Sequence, residues 1–307
     1  MQITPYHQKM HLNDGDLEPD TKKCPLCGFE VANKGLVVQI KPLILLRKCS
    51  ACFGASVSRM PKELTLTKYY TTSFSDTWYD SINSERIAKT IHKRVRNFTK
   101  LNLVDQISIL DYGGGDGSLS LNLANRLINS GTKHVNLTII DYTRAIPDHR
   151  NSAISVTYLQ TLPQVLNANF EFIILSAVLE HLVEPVSVLK DLVAHLSSDG
   201  IVWIRTPQMF GFFKLISILG RDVPLVFPAH LHDLGQMFWN NISRIEALNH
   251  EVEVASGHPA PVELRFSAHP ARTTLSFLLK LPWYIFGKYW PFVGGWEATL
   301  VHRKRDQ

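Results

Sequence analysis

The chain has 307 residues, enough for one large α/β domain and one small additional unit. Hydrophobic residues make up 45% and charged residues 19% of the sequence, which is typical of a soluble globular protein, and the formal net charge is +5. This small excess of positive charge is compatible with an anionic substrate or a membrane surface. It is too weak to indicate nucleic-acid binding by itself.

We do not expect the first residues to form a signal peptide. Residues 1–20 form a polar N-terminal segment without an apolar core, unlike a signal peptide. The longest apolar stretch, from Leu275 to Trp296, is interrupted by lysines and prolines and is not expected to span a bilayer. We therefore expect a cytoplasmic protein.

Two C-x-x-C pairs contain all four cysteines of the chain. Two thiolates at this spacing on a tight turn can bind one metal ion, and two pairs complete a closed tetrahedral site that suits structural zinc. A disulfide is disfavoured in the cytoplasm, and redox C-x-x-C motifs occur singly. We predict a zinc ribbon at residues 21–60, with a strand from Leu36 to Leu46 between the pairs. The predicted ligands are Cys24, Cys27, Cys49 and Cys52.

Residues 61–104 are predicted to form an aromatic linker followed by a helix. Aromatic side chains cluster at Tyr69–Tyr70 and again at Trp78–Tyr79. The apolar spacing that begins after Ser84 then predicts an amphipathic helix to about Lys100.

From Ile107 onward, apolar strands alternate with amphipathic helices, a pattern typical of a parallel, doubly wound sheet. The first strand runs directly into a glycine-rich turn, Gly113–Gly117, and the second strand ends in Asp141. Such a turn lets the backbone approach a ligand, and an acid at the tip of the next strand is placed to bind ribose hydroxyls. The two features together indicate a ligand that contains a nucleoside.

The motifs of this region resemble those of the class I S-adenosylmethionine-dependent methyltransferases, particularly the type 23 group. The resemblance implies an α/β, Rossmann-like, doubly wound and mostly parallel seven-stranded sheet in residues 105–307, with an insert at about 258–296. The glycines alternate every two residues, which disfavours the G-x-G-x-x-G fingerprint of NAD enzymes. The motifs lie at Ile109–Gly117, Ile139–Tyr142, Phe170–Leu182, Leu196–Pro207 and Pro228–Leu234.

The same resemblance implies the residues that bind S-adenosylmethionine. Glycines of the turn border the methionine part and an acid lies near its amino group. The ribose and adenine contacts follow the second strand, and the sulfonium lies at the tip of the fourth. Gln160 or Thr161 stands where the family often has an Asp near adenine. The full predicted set is Asp111, Gly113, Gly115, Gly117, Asp141, Tyr142, Gln160, Thr161, Ser176 and Ala177.

Methylation of oxygen or carbon usually requires a general base whose pKa is near neutral, and histidine is the natural choice. The candidate catalytic bases are His181, His230 and His232. Asp233 is a candidate orienting partner, and the alternative for His181 is that it only shapes the pocket. The absence of a cysteine outside the ribbon disfavours a covalent pyrimidine adduct. The absence of an N/D-P-P-Y/F tetrapeptide disfavours methylation of nucleobases or glutamine.

We expect O- or C-methylation of a small-molecule or sugar/glycan acceptor. The first alternative is an RNA methyltransferase whose ribbon grips nucleic acid, and the second is a non-catalytic cofactor-binding module. The aromatic segment 277–292 is expected to cover the substrate pocket; a peripheral membrane contact and a dimer interface are the alternatives.

Overall fold

The computed structural model describes residues 9–73, 83–95, 105–142, 151–162, 168–262, 266–267 and 269–303. In chain order its strands are β1 (Leu36–Gln39), β2 (Ile44–Lys48), β3 (Ala55–Val57), β4 (Gln106–Tyr112), β5 (His134–Ile140), β6 (Ile154–Leu159), β7 (Phe170–Ser176), β8 (Leu196–Gln208), β9 (His232–Asp233), β10 (Val252–Pro259) and β11 (Gly294–His302). Its α-helices are α1 (Glu63–Ser73), α2 (Ser84–Val95), α3 (Ser118–Asn129), α4 (Pro185–Val193), α5 (Phe210–Ile218), α6 (Gln236–Trp239) and α7 (Pro270–Phe286).

Seven strands form the large sheet in the order β10-β11-β8-β7-β4-β5-β6. The five strands from β8 to β6 are parallel, and β11 runs antiparallel to both of its neighbours. Alternate residues of β4 face opposite cores: Ile109 packs with α2 and α3, whereas Leu110 packs with the side that holds α4. The Rossmann-like fold predicted from the motifs is confirmed, and the carboxyl ends of β4, β5 and β7 meet at one edge.

The ribbon belongs to a second sheet, in the order β1-β2-β3-β9. The single strand predicted from Leu36 to Leu46 is wrong, because a turn at residues 40–43 divides it into an antiparallel hairpin. The fourth strand, β9, comes from the connection that follows α5, far along the chain. The ribbon is therefore built into the larger fold by backbone pairing between Ala55–Ser56 and His232–Asp233.

His232 stabilises this pairing through hydrogen bonds at both ring nitrogens. Its Nε2–H donates to the carbonyl of Leu182 at 2.9 Å, so Nδ1 is the acceptor for the Ser56 hydroxyl at 2.8 Å. The residue is 1% exposed, and its burial lowers the pKa of His232 to about 4. Hydrogen bonds to the backbone raise the pKa, but their effect is smaller than that of burial. The neutral ring thus bridges the ribbon sheet and the loop after β7.

Several boundaries differ from those read off the sequence. Part of the predicted aromatic linker is helix α1, and the predicted turn at Leu196–Gly200 lies within β8, where pairing with β7 shifts register. The insert predicted at 258–296 overlaps the ends of β10 and β11. The polar N-terminal segment still buries Leu12 and Leu17 against the ribbon. The predicted helix from Ser84 is confirmed to Val95, and its remainder, like Trp78 and Tyr79, lies outside the described residues.

Helix α7 turns much of its apolar surface outward. Phe277, Ile285 and Phe286 are exposed, whereas Lys280 is buried and donates from Nζ to the carbonyl of Ala260. Within the described ranges, no helix is both long and apolar enough to cross a membrane.

We predict that acid loosens the attachment at His232. The pKa of this histidine is about 4 in the folded chain and about 6.5 when unfolded, so the unfolded chain takes up the proton first and stability falls as pH drops from 6.5 towards 4. The full loss for this group is about 3 kcal/mol. Denaturant unfolding of wild type and His232→Gln across this pH range measures it.

The variant should show a shallower acid dependence, because Gln can keep both hydrogen bonds without titrating. His134→Gln, at an exposed position at the start of β5, is the control and should follow wild type. Parallel pH curves for wild type and His232→Gln would contradict the prediction.

Candidate cofactor and acceptor site

The glycine-rich turn after β4 closely approaches the strands around it. Gly113, Gly115 and Gly117 all have positive φ, between 57° and 72°, which L side chains adopt only with strain. A Cβ at Gly113 would lie 2.6 Å from the Val178 side chain, and one at Gly114 would lie 2.6 Å from the carboxyl of Asp111. Gly114, absent from the predicted set, is therefore as constrained as the glycines that the motif singled out.

Asp111 lies under this turn and is 1% exposed. Burial raises its pKa to about 7, the hydrogen bond from Ser120 opposes that shift, and the charges of Asp141 and Asp116 add to it. Among the described residues, its buried Oδ2 has no hydrogen-bond partner. A buried carboxylate with an unused acceptor oxygen fits the cationic amino group of an amino-acid ligand.

Asp141 follows β5 and turns back over the glycine turn, where its Oδ2 accepts a hydrogen bond from Gly115 N at 2.8 Å. Tyr158, on β6, places its hydroxyl 3.4 Å from the carbonyl of Gly115. Exposed residues follow both strands: Tyr142 comes directly after Asp141, and Gln160 and Thr161 come directly after β6. The turn and the predicted ribose-binding acid are thus in direct contact.

The tip of β7 carries backbone strain. Ala177 has φ of 59° and donates its N–H to the carbonyl of Arg205 at 2.9 Å. A non-glycine residue in this region costs about 1–3 kcal/mol and is typical of functional sites. The chain bends there between Ser176, the last residue of β7, and a short 3₁₀ turn at Leu179–His181.

Three ionisable side chains meet beyond this bend. Glu180, His181 and His230 each offer a potential ligand atom, and these atoms lie within 4.8 Å of one another. The rings of His181 and His230 stack edge to face with centroids 4.8 Å apart. The structure therefore brings two of the three predicted histidines together, and it adds a buried glutamate that the predicted set had omitted.

Tyr70 is a further residue that the sequence did not single out as part of the site. Its hydroxyl lies 3.3 Å from Nδ1 of His181, and burial raises its pKa, with the neighbouring Tyr69 and Glu180 adding to the shift. The preceding Tyr69 anchors helix α1 against Val226 and Ala229. The cluster of aromatic residues was visible in the sequence, but its spacing could not show that Tyr70 contacts His181.

The structure separates His232 and Asp233 from this group. His232 is engaged at both ring nitrogens in the ribbon attachment. Asp233 does not orient a histidine as proposed; its Oδ2 accepts from the N–H groups of Met209 and Phe210 and so caps the start of α5. Burial raises the pKa of Asp233 to about 7, whereas these hydrogen bonds and Lys48 lower it.

The four cysteines converge on one point. The Sγ atoms of Cys24 and Cys52 are 3.8 Å apart and those of Cys27 and Cys49 are 3.7 Å apart. A tetrahedral zinc ion with sulfur ligands at 2.3 Å requires sulfur–sulfur distances of about 3.8 Å, whereas a disulfide needs about 2 Å. The N–H of Ala51 also points to the Cys49 sulfur at 3.3 Å. The residues form a structural zinc site, as predicted.

The two zinc-binding turns are not equivalent. The residue after each pair has positive φ, and it is Gly28 in the first turn but Phe53 in the second. Phe53 lies under the guanidinium of Arg244 at 5.5 Å, and Arg244 also donates to the carbonyl of Ala51. This contact, together with the packing of the turns against Phe238 of α6, fixes the zinc site to the methyltransferase core.

Comparison with known families agrees with this architecture. Residues 79–251, more than half of the chain, match the sequence profile of the type 23 methyltransferase domain. The chain belongs to this family. It is an S-adenosylmethionine-dependent methyltransferase that carries a four-cysteine zinc ribbon.

Three solved structures of methyltransferases show a partial similarity in chain path. The plantazolicin methyltransferase, solved with a substrate analogue and S-adenosylhomocysteine, has 13% identity and a TM-score of 0.43, and the match covers 72% of this chain and 85% of that chain. The magnesium protoporphyrin IX methyltransferase from Synechocystis PCC 6803 has 16% identity and a TM-score of 0.45 over 78% of this chain and 92% of its own. Coclaurine N-methyltransferase has 15% identity and a TM-score of 0.45 over 70% and 72%.

A search of curated proteins finds no match to this sequence.

We predict that loss of zinc weakens the attachment of the ribbon to α6 and β9. Cys27→Ser should remove one zinc per chain and lower the melting temperature by roughly 10 °C, because a loss of about 3 kcal/mol shifts it by roughly 2–4 °C per kcal/mol at this size. Metal analysis and calorimetry measure the two effects. Ser50→Ala, at an exposed position in the second turn, is the control. A variant that keeps its zinc and its melting temperature would contradict the prediction.

Proposed function

We propose that this methyltransferase transfers a methyl group to oxygen or carbon of a small-molecule or sugar/glycan acceptor. The observation that carries the proposal is the histidine pair, His181 and His230, directly beyond the strained tip of β7. On the family pattern, that tip borders the reactive methyl group. In this proposal residues 21–60 are the zinc ribbon and residues 105–307 the catalytic domain.

S-adenosylmethionine supplies an electrophilic methyl group when bound. Asp111 and the glycines at 113, 115 and 117 hold the methionine part, and Asp141 holds the ribose. Tyr142, with Gln160 or Thr161, lies towards the adenine, and Ser176 and Ala177 lie beside the sulfonium. The buried Oδ2 of Asp111 and its contact with Gly114 support this placement.

His181 and His230 act on the acceptor. His181 donates from Nδ1 to the carbonyl of Ala229 at 2.8 Å, so Nε2 carries the lone pair in the neutral ring. Packing of α1 and of the Ala229 segment holds the ring in place, which limits the geometries from which a hydroxyl can approach. His232 takes a structural role in this proposal.

The structure lends less support to the RNA alternative than the sequence did. Arg47 is buried in a two-point ion pair with Asp20, with N–O distances of 2.5 and 2.6 Å. Phe53 is covered by Arg244, which leaves Phe29 as the exposed aromatic side chain of the ribbon turns. Stacking on nucleotides requires several accessible aromatic rings. The intact glycine turn and Asp141 speak against a non-catalytic module.

We predict that Asp141→Asn weakens S-adenosylmethionine binding by about 10- to 100-fold, as expected for the loss of a charged hydrogen-bond acceptor worth about 1.5–3 kcal/mol. Calorimetric titration measures the affinity, and the zinc content should not change.

The matched control is Asp116→Asn. Asp116 lies on the same turn but accepts hydrogen bonds from Ser118, its near neighbour. Equal affinities for Asp141→Asn and wild type would refute the assignment of the ribose site. Failure of the wild-type protein to bind S-adenosylmethionine would refute the proposed cofactor site as a whole.

We also propose that α7 contacts an anionic membrane surface. Phe277, Ile285 and Phe286 are 52%, 62% and 70% exposed. The sequence between Glu263 and Glu297 contains four basic residues and no carboxylate. An exposed apolar helix face in a segment whose sequence carries basic residues and no carboxylate is complementary to anionic lipid, although Lys280 itself is buried. Such a contact would give the enzyme access to a lipid-linked acceptor.

We expect the full chain to sediment with vesicles that contain anionic phospholipid and not with neutral ones. The double variant Phe277→Ser/Phe286→Ser should bind at least about 10-fold more weakly, since each buried phenylalanine contributes about 1.5 kcal/mol or more. Leu64→Ser, at an exposed apolar position on α1, is the control. If the double variant instead converts a dimer to a monomer, the face is a dimer interface and the membrane proposal fails.

A further inference from the structure

We propose that Glu180, His181 and His230 form a second metal site, for a divalent transition-metal ion such as Mn²⁺, Co²⁺, Fe²⁺ or Zn²⁺. The ion would lie at the acceptor side of the pocket and be separate from the cysteine-bound zinc. Binding of the ion follows from the arrangement of these side chains alone. Its catalytic use rests on the proposed function.

The donor set selects the class of ion. Two imidazole nitrogens and one carboxylate suit first-row transition metals, whereas Mg²⁺ and Ca²⁺ prefer oxygen ligands throughout. Three protein ligands also leave coordination positions open, as in catalytic metal sites. The closed cysteine site has none.

The three ligands lie on segments that are fixed relative to each other. Glu180 and His181 are consecutive in the 3₁₀ turn after β7, and the N–H of Leu231 donates to the carbonyl of Glu180 at 2.8 Å. This bond sets the position of His230, the preceding residue. The potential ligand atoms lie within 4.8 Å of one another, whereas two ligands bound to a common ion at about 2.1 Å are at most about 4.2 Å apart, so binding would draw them slightly closer together.

Burial adds a second argument. Glu180 is 3% exposed and lies beside two imidazoles. A carboxylate that is shielded from bulk water attracts a divalent ion more strongly than an exposed one, because the local dielectric constant is lower. Tyr70 lies at the same place, with its hydroxyl 3.3 Å from Nδ1 of His181.

The orientation of His181 suits a metal ligand. Its Nδ1–H donates to the carbonyl of Ala229 at 2.8 Å, so Nε2 is the nitrogen with the lone pair that can act as a ligand. A backbone carbonyl behind the distal nitrogen is a usual outer partner of metal-bound histidine, since it fixes the tautomer and raises the basicity of the ligand.

At this position the ion would bind an acceptor hydroxyl and lower its pKa. The hydroxyl proton passes to water, and the oxygen forms a bond to the methyl carbon while the carbon–sulfur bond breaks. The electron pair of the broken carbon–sulfur bond stays on sulfur, which becomes a neutral thioether. His181 and His230 then act as ligands, and the ion polarises the acceptor.

The test is a titration with Mn²⁺ of the full chain loaded with a single zinc ion, and binding is measured as loss of the free-ion signal in electron paramagnetic resonance. Mn²⁺ has little affinity for thiolates, so the ribbon keeps its zinc. We expect one Mn²⁺ per chain, bound at least about 10-fold more weakly in Glu180→Gln and in His230→Gln. Glu184→Gln and His250→Gln are the matched controls and should bind as wild type does.

Each variant is accepted as folded if it retains one zinc and the wild-type affinity for S-adenosylmethionine. No Mn²⁺ binding up to about 1 mM, or unchanged binding in both ligand variants, would overturn the proposal. Mn²⁺ binding in a protein that does not bind S-adenosylmethionine would support the metal site and refute the proposed function. The two failures are therefore distinguishable.

Discussion

The pairing of β3 with β9 is the interaction on which the rest of the molecule depends. Two residue pairs join the ribbon to the methyltransferase domain there, and His232 closes the junction by bonding to Ser56 on one side and to Leu182 on the other. The ribbon has too few residues for a core of its own. Zinc and this junction together give it a defined position.

The same junction positions the side of the site that we propose binds the acceptor. Residues 226–231 lead into β9, and within them Ala229 supports His181 while Leu231 bonds to the carbonyl of Glu180. The cofactor side depends instead on the turn after β4, which packs against β5 and β7. In our proposal, zinc therefore stabilises the half of the site that recognises the acceptor.

The features predictable from the sequence were those whose geometry is local. A C-x-x-C pair and a strand followed by alternating glycines encode their own shape, so the zinc ligands and the Rossmann-like sheet were correctly predicted. Ser56 and His232 meet across 176 residues, and no periodicity encodes that contact. His232 was therefore grouped with the candidate bases, and the interruption of the predicted strand at residues 40–43 was missed.

Helix α7 shows why composition alone could not assign its surface. The many apolar residues of this helix predict that it is buried. On its inner face, however, the contacts are made by Trp283, which packs against Trp296, and by Lys280, which donates a hydrogen bond to a backbone carbonyl. Because these long side chains make the contacts with the core, Phe277 and Phe286 remain exposed on the outer face of the helix. Water is a costly environment for so many adjacent apolar groups, and selection tolerates such a patch when another surface covers it. In our proposal, an anionic membrane meets that requirement beside a segment whose sequence contains no carboxylate.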